Sequence, residues 1–476
     1  MSGIPIIESE AAVATGEGSV WEYPATLAAR FIPGLKGKQY SKTLRTALHG
    51  STWTMLGYGG TQVVRTASTI ILARLLLGPK DFGLVALVNV FLGGLDMLSD
   101  LGIGMDVVQN RRGDDPVFIN TAFLIQVGRG LIIWAAATAL AYPFAVFYKQ
   151  PALLWLAMVG AISTGLRGFT SGSVWTMTRH VQLRKLTILT LISEGAGFLV
   201  ALVWAIVSPS AWALVVSRVA SALVYMVGTH VVSENKVSTE WDSQAAREIL
   251  YFGAGIFIST ATYFLGGEAE RLVVGKFVDL VELGCFSLAL TISSVATTGL
   301  RQIISQVFFP MMAQKVRDDP EKAAKHYKSV RLGLLALSAC LAVGFIVGSR
   351  WIVALLLGPK YVMTGWILQL LGFRGALELF TAATGSMLFT VGTAKYAATG
   401  NLTKIVFLAA GLAVAFTHFG FAGAVWVLAV SPIAAYIPLL VGMQRHFKST
   451  MRTELVSFAL LLVCGAVTAA FLRMIA

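Results

Sequence analysis

The chain has 476 residues, 56% of them hydrophobic and only 13% charged, with a mean hydropathy of +0.74. No soluble globular domain carries that composition, so the chain is expected in a lipid bilayer, crossing it as helices because lipid forbids open strands. The net charge of +13 is spread over short turns between apolar windows and makes no continuous basic arm, which excludes a nucleic-acid partner and points to membrane topology.

Residues 1–45 form a polar tail, acidic early (Glu8, Glu10, Glu17, Glu22) and basic late (Arg30, Lys36, Lys38, Lys42, Arg45). It lacks the charged start and apolar run of a secretory signal. Apolar windows of the roughly 20 residues that a membrane helix needs then recur along the chain. They are read as thirteen spans, over 48–72, 82–108, 118–147, 152–177, 187–207, 211–232, 249–273, 283–312, 330–357, 362–391, 400–418, 421–443 and 454–474. Most of the Lys and Arg fall in turns on the tail's side, among them Arg111, Arg112, Arg179, Arg184, Lys185, Arg445, Lys448 and Arg452. The positive-inside rule therefore places the N-terminus in the cytoplasm.

The first hairpin carries the most information. Apolar sequence ending in Ala73-Arg74 breaks at Gly78-Pro79, where proline fixes its own φ and pushes its predecessor out of the helical region, and a second span follows with Asp96 and Asp100 inside it. The residues Ala73, Arg74, Leu76, Gly78, Pro79, Asp81, Phe82, Gly83, Ala86 and Leu87, then Ser99, Asp100, Leu101, Gly102, Gly104 and Gln109, form a pattern that resembles the start of bacterial polysaccharide exporters and Wzx-type flippases. These belong to the multidrug, oligosaccharidyl-lipid and polysaccharide exporter superfamily. The resemblance extends over residues 46–443 and is strongest at 73–109.

A weak internal repeat runs in order. Arg74-x-x-x-Gly78 returns as Arg271-x-x-x-Gly275, Gly83 as Gly284, Asp114-Asp115-Pro116 as Asp318-Asp319-Pro320, and Leu166-Arg167-Gly168 as Phe373-Arg374-Gly375. Two homologous halves of six spans each are expected, at 46–232 and 249–443, joined by a polar linker at 233–248, with the helix at 454–474 left over. An even number of spans keeps both halves in one orientation, so their pseudo-twofold axis runs along the membrane normal. The repeated Leu-Leu-Leu-Gly-Pro-Lys at 75–80 and 355–360 falls outside that register and reads as similar turn chemistry. The resemblance implies an all-α polytopic protein whose two six-helix lobes form a V around a central cavity and rock to give alternating access.

Six arginines lie near span midpoints: Arg65, Arg129, Arg167, Arg218, Arg301 and Arg374. An intramembrane arginine is costly by at least about 2.5 kcal/mol and normally faces a bundle interior or an aqueous cavity. Guanidinium grips phosphate through two parallel hydrogen bonds, so these six are candidates for a substrate cavity that takes a diphosphate head group. Structural pairing is the competing reading, Arg374 with Glu378 one turn away and Arg65 with Asp96 or Asp100 on the adjacent helix. Arg167 and Arg301 are favoured for the cavity because neither has an acidic residue within a turn. Asp96, Asp100, Glu194 and Glu378 are candidates for ion coupling or for charge pairs. Glu268, Glu270, Arg271, Lys276, Asp279 and Glu282 read as a solvated outer turn, with an outer gate as the alternative.

No His-Glu-x-x-His, Gly-x-Ser-x-Gly or P-loop lysine is present, so no catalytic residue, metal or cofactor is expected. Cys285, Cys340 and Cys464 are far apart within apolar segments and read as packing residues. The function that the resemblance implies is a flippase for polyprenyl-diphosphate-linked oligosaccharide in the bacterial inner membrane, with the lipid bilayer and a polysaccharide polymerase complex as further partners. A drug or organic-cation antiporter of the same superfamily conflicts with a cavity lined by arginine. A membrane polymerase or ligase would need a long outer loop, which no outer turn provides.

Overall fold

The computed structural model describes residues 42–233, 240–264, 269–393 and 395–475. Nearly all of the expected tail, residues 234–239 of the expected linker and Glu268 lie outside them. Seventeen α-helices follow one another: α1 (Lys42–Leu75), α2 (Pro79–Leu98), α3 (Ile103–Gln109), α4 (Pro116–Phe147), α5 (Ala152–Gly168), α6 (Ser173–Arg179), α7 (Leu183–Val207), α8 (Trp212–Val231), α9 (Ser243–Tyr263), α10 (Ala269–Phe277), α11 (Leu280–Ile303), α12 (Phe309–Asp318), α13 (Pro320–Leu356), α14 (Thr364–Phe389), α15 (Lys395–His418), α16 (Gly420–His446) and α17 (Met451–Ile475). Each expected stretch holds helix, but the chain is more broken than an apolar count suggests. Among the described residues nine helices are long and apolar enough to cross a membrane, or ten if α5 and α6, bent by 59°, form one span. The stretches outside that set are α1, the pair α9 and α10, and α14, which carries Gln369, Arg374 and Glu378 within its length.

The expected span 82–108 is in fact two helices. Gly102 takes a left-handed φ of +56°, and the Asp100 carboxylate accepts from the Gly102 amide at 3.0 Å, closing a turn that stops α2 and starts α3. The orphan carbonyls at the end of α2 are capped from α4, where the Arg129 guanidinium donates to the Ser99 oxygen at 2.6 Å and the Asp96 oxygen at 2.7 Å. A π-helical turn at Ile304–Phe308 similarly interrupts the stretch after α11.

The two parts of the chain meet where α2 crosses α11. A Cβ added at Gly83 would come 2.0 Å from the Leu280 carbonyl oxygen, and one at Gly284 would come 1.8 Å from that of Pro79. The two contacts are reciprocal and use residues of equal sequence spacing, the spacing of the Gly83 and Gly284 repeat. Asp81 and the Asp279–Glu282 capping box start the two helices beside this crossing. The repeated turns also touch each other here: the Tyr361 hydroxyl donates to the Leu77 carbonyl at 3.0 Å, and its ring packs edge-on against Phe82. At the same end Tyr148 donates to the Leu272 carbonyl at 2.8 Å, and Lys276 reaches the Phe147 carbonyl over the Phe147 ring.

The opposite end gathers basic turns. Arg179 donates to the carbonyls of Val107, Val108 and Asn110 and pairs with Asp114 at 3.0 Å, while Arg112 pairs with Asp242 at 2.7 Å. The turns around residues 112, 180 and 242 thus share one end. The Arg112 guanidinium holds the Asp242 carboxyl below the usual carboxylate range. Cys285 is buried, as a packing residue should be, but Cys340 is exposed on the outside of α13.

Candidate functional site

A polar cavity of about 540 Å³ opens among α1, α2, α4, α5, α6, α7 and α8. It brings together Arg65, Arg129, Arg167, Asp96, Asp100 and Glu194, six of the ten charged candidates. Their arrangement separates charges that are committed from charges that are not. Arg65 pairs with Glu194 on α7 at 2.9 Å, in place of the expected Asp96 or Asp100, because glycines at 57 and 60 seat α1 against α7 and bring the two residues level. Arg129 is spent on the end of α2, and Asp100 on the turn that follows it.

Arg167 is different. It is exposed at the end of α5, lines the cavity, and its guanidinium has no ion pair or hydrogen bond among the described residues. Asp96 lines the same space, its carboxylate in no ion pair or hydrogen bond among the described residues but within electrostatic reach of Arg218. Arg218 lies close behind, where it donates to the Asn89 side chain at 2.7 Å and to the Ser163 hydroxyl at 3.1 Å.

The remaining candidates form a second cluster. The Arg374 guanidinium is held by Glu378 at 3.1 Å and by Glu270 at 2.9 Å, Lys404 reaches Glu378 at 3.4 Å, and Arg301 stands 3.9 Å from the same carboxylate with 54% of its side chain exposed. The pairing of Arg374 with Glu378 follows from their helical spacing. Glu270 does not lie in a solvated turn: it is 7% exposed and ties α10 to α14. Arg301, which has no acid within a turn in sequence, acquires one from a neighbouring helix.

Several cavity residues escape a search for charge. Gln126, Thr164, Trp175, Ser221 and Tyr225 all line it, and neutral polar residues in an apolar span carry little signal individually. Ser221 and Tyr225, four apart and so on one face of α8, are a pair that spacing could have found, as are Thr190 and Ser193 on α7. Among the described residues no cluster of three or more His, Cys, Asp or Glu is placed to hold a metal ion.

Comparison with known proteins now adds to this geometry. The family model described as "Polysaccharide biosynthesis protein" matches residues 71–364, more than half of the chain. The chain belongs to that family. It is a Wzx-like exporter of the multidrug, oligosaccharidyl-lipid and polysaccharide superfamily, a multi-pass membrane transporter and not an enzyme. The exporter is 23% identical to the succinoglycan biosynthesis transport protein ExoT of Rhizobium meliloti, over 74% of this chain and 75% of that one. It is 25% identical to the lipopolysaccharide biosynthesis protein WzxC of Escherichia coli, over 67% and 64%. In fold it is similar to the lipid II flippase MurJ, with a TM-score of 0.61 at 10% identity over 90% of this chain and 98% of that one. It is also similar to an inward-facing multidrug resistance MATE family transporter, with a TM-score of 0.53 at 14% identity over 82% and 95%.

Proposed function

We propose that this exporter is a flippase that moves a polyprenyl-diphosphate-linked oligosaccharide across the bacterial inner membrane for exopolysaccharide or lipopolysaccharide synthesis. The observation that carries the reading is Arg167, an unengaged guanidinium lining a polar cavity between membrane-depth helices. Exposed in that polar cavity, the guanidinium keeps its charge without a protein partner, and a diphosphate would engage it through two parallel hydrogen bonds. Arg301, exposed and only loosely held by Glu378, is the second candidate contact. Arg65, Arg129, Arg218 and Arg374 shape the surroundings while engaged elsewhere.

The reciprocal contact of Gly83 and Gly284 supports two homologous six-helix lobes related about the membrane normal, with α17 as the added helix. The contacts of Tyr361, Tyr148 and Lys276 would then close the outer side, and the basic end, with the N-terminus, would face the cytoplasm. Rocking of the lobes about the α2–α11 crossing would open the other side in turn. Asp96, Glu194 and Glu378 would be the acids that couple that motion to an ion.

The test is genetic and biochemical together. Deleting the gene should abolish surface polysaccharide while lipid-linked oligosaccharide accumulates on the cytoplasmic leaflet. Loss of polymer with normal outer-leaflet delivery of the intermediate would favour a polymerase role and refute the flippase.

A further inference from the structure

Most serine and threonine hydroxyls in these helices bond back to their own backbone, as Thr190 does to Leu186 and Ser193 to Thr190. Thr164 breaks that habit at the cavity. It is only 2% exposed, it lines the cavity, and its hydroxyl has no hydrogen-bond partner. An unsatisfied buried hydroxyl is costly, by roughly 1–3 kcal/mol, unless something else supplies the bond. Ser221 and Tyr225 line the same cavity, and their hydroxyls have no hydrogen-bond partner among the described residues.

Trp175 is also held in place. Its Cδ1 and Nε1 lie 3.1 Å from where Gly104 would carry a Cβ, and its Cε3 and Cζ3 lie 3.5 Å from the corresponding point at Gly172. The indole thus lies against Gly104 of α3 on one side and against Gly172, three residues before it at the start of its own helix, on the other, and Trp175 borders the cavity. An aromatic ring that shares a cavity with unpartnered hydroxyls and a carboxylate suits a ligand with apolar C–H faces and a rim of hydroxyl groups. Such a ligand is a sugar ring.

We infer that this cavity is a glycan subsite, in which Trp175 stacks on the sugar nearest the diphosphate and Thr164, Ser221, Tyr225 and Asp96 hydrogen-bond its hydroxyls. The inference rests on the flippase reading and names the part of the substrate that the cavity selects. Asp96 gives the subsite a sign. With the diphosphate engaged by Arg167, Asp96 is the cavity carboxylate that no ion pair or side-chain hydrogen bond among the described residues neutralises, so an uncharged sugar is accepted and a hexuronate is disfavoured.

The experiment compares binding of three probes to the purified full-length protein: a short polyprenyl diphosphate alone, the same lipid carrying one hexose, and the same lipid carrying one hexuronate. The hexose should raise affinity roughly tenfold over the bare diphosphate, and the hexuronate should not. Trp175→Ala should remove most of that gain while leaving the bare diphosphate bound as before. Tyr225→Phe keeps the ring and should lose roughly three- to tenfold of the gain through one hydroxyl, which guards against Trp175→Ala simply disturbing the α3–α6 contact. Asp96→Asn should let the hexuronate bind like the hexose. If the bare diphosphate binds but the hexose adds nothing, or if all three variants keep the wild-type gain, the subsite is refuted and the flippase reading stands. If the bare diphosphate does not bind at all, the flippase reading falls and the subsite falls with it.

Discussion

Arg331 on α13 and Glu454 on α17 form an ion pair at 2.7 Å in which neither side chain has any exposure to solvent. The carboxylate is fully engaged, accepting from Tyr436 at 2.6 Å, from Thr384 at 3.2 Å and from Tyr327 as well. Arg331 donates to the Phe380 carbonyl and the Thr384 hydroxyl, both at 2.9 Å, and lies over the Phe380 ring at 3.5 Å. The helix that the repeat leaves over is therefore joined to α13 by a buried ion pair and to α14 and α16 by hydrogen bonds to the same carboxylate. Removing one partner strands a buried charge, so Glu454→Ala should cost about 3–5 kcal/mol. Replacing both, as Arg331→Met with Glu454→Leu, should cost much less than the single change. Thermal unfolding of the purified variants checks this, and a double variant no more stable than Glu454→Ala would contradict the pairing.

That pair also marks where the sequence becomes unreadable. The α1–α2 hairpin and the membrane class follow from local composition and turn chemistry, both of which are short-range information. Partners far apart in the chain do not. Arg331 reads as one more basic residue of a turn, Glu454 as the polar start of a helix, and Glu270 as part of a solvated loop until Arg374 is placed beside it. The break at Ser99–Gly102 is hidden for a related reason: the hydropathy of the segment is continuous, and the arginine that caps the break comes from another helix.

The α2–α11 crossing leaves no room for a side chain at Gly83 or Gly284. Alanine at either should force the backbones apart and destabilise the closed arrangement by about 1–3 kcal/mol, the usual penalty of overpacking. Disulfide trapping between cysteines placed at 77 and 361 reports that closure. It should fall in Gly83→Ala and in Gly284→Ala but not in Gly93→Ala, where an added Cβ meets nothing within 4 Å. Equal trapping in all three would show that the crossing does not control the closed end.

The Arg112–Asp242 contact should respond to acid in one direction only. Because the folded carboxyl is held below its ordinary value of about 3.9, the contribution of the contact is complete above that value and is lost as pH falls through the depressed one. Spin labels on the exposed positions 111 and 241 should keep a constant separation from pH 8 to pH 5 and separate only in stronger acid. Asp242→Asn should show the wider separation at every pH. A change centred near neutrality would assign the movement to another group.

The orientation can be tested from outside the cell. With the basic end in the cytoplasm, cysteines at positions 114 and 240 should resist an impermeant thiol reagent in intact cells and react once the membrane is opened. A cysteine at 149, at the opposite end, should react in both. Ready labelling of 114 and 240 in intact cells would invert the topology.

Arg167 offers the most direct connection between sequence, energetics and transport. Its guanidinium is uncommitted, so nothing in the fold should depend on it, and Arg167→Ala should leave abundance and thermal stability near wild type. Binding should behave differently. A charge-assisted hydrogen bond contributes about 1.5–3 kcal/mol, so losing one should weaken polyprenyl-diphosphate binding roughly ten- to hundredfold. Arg167→Lys should fall in between, since lysine keeps the charge and loses the planar fork. Arg301→Ala should show a mixed effect, because it also removes a positive charge beside Glu378. Arg129→Ala should do the reverse of Arg167→Ala, uncapping α2 and lowering abundance with little selective effect on binding in the protein that remains folded. If Arg167→Ala binds with wild-type affinity at normal abundance, the free guanidinium is not a substrate contact, and the exporter must hold its diphosphate through Arg301 or the lipid interface.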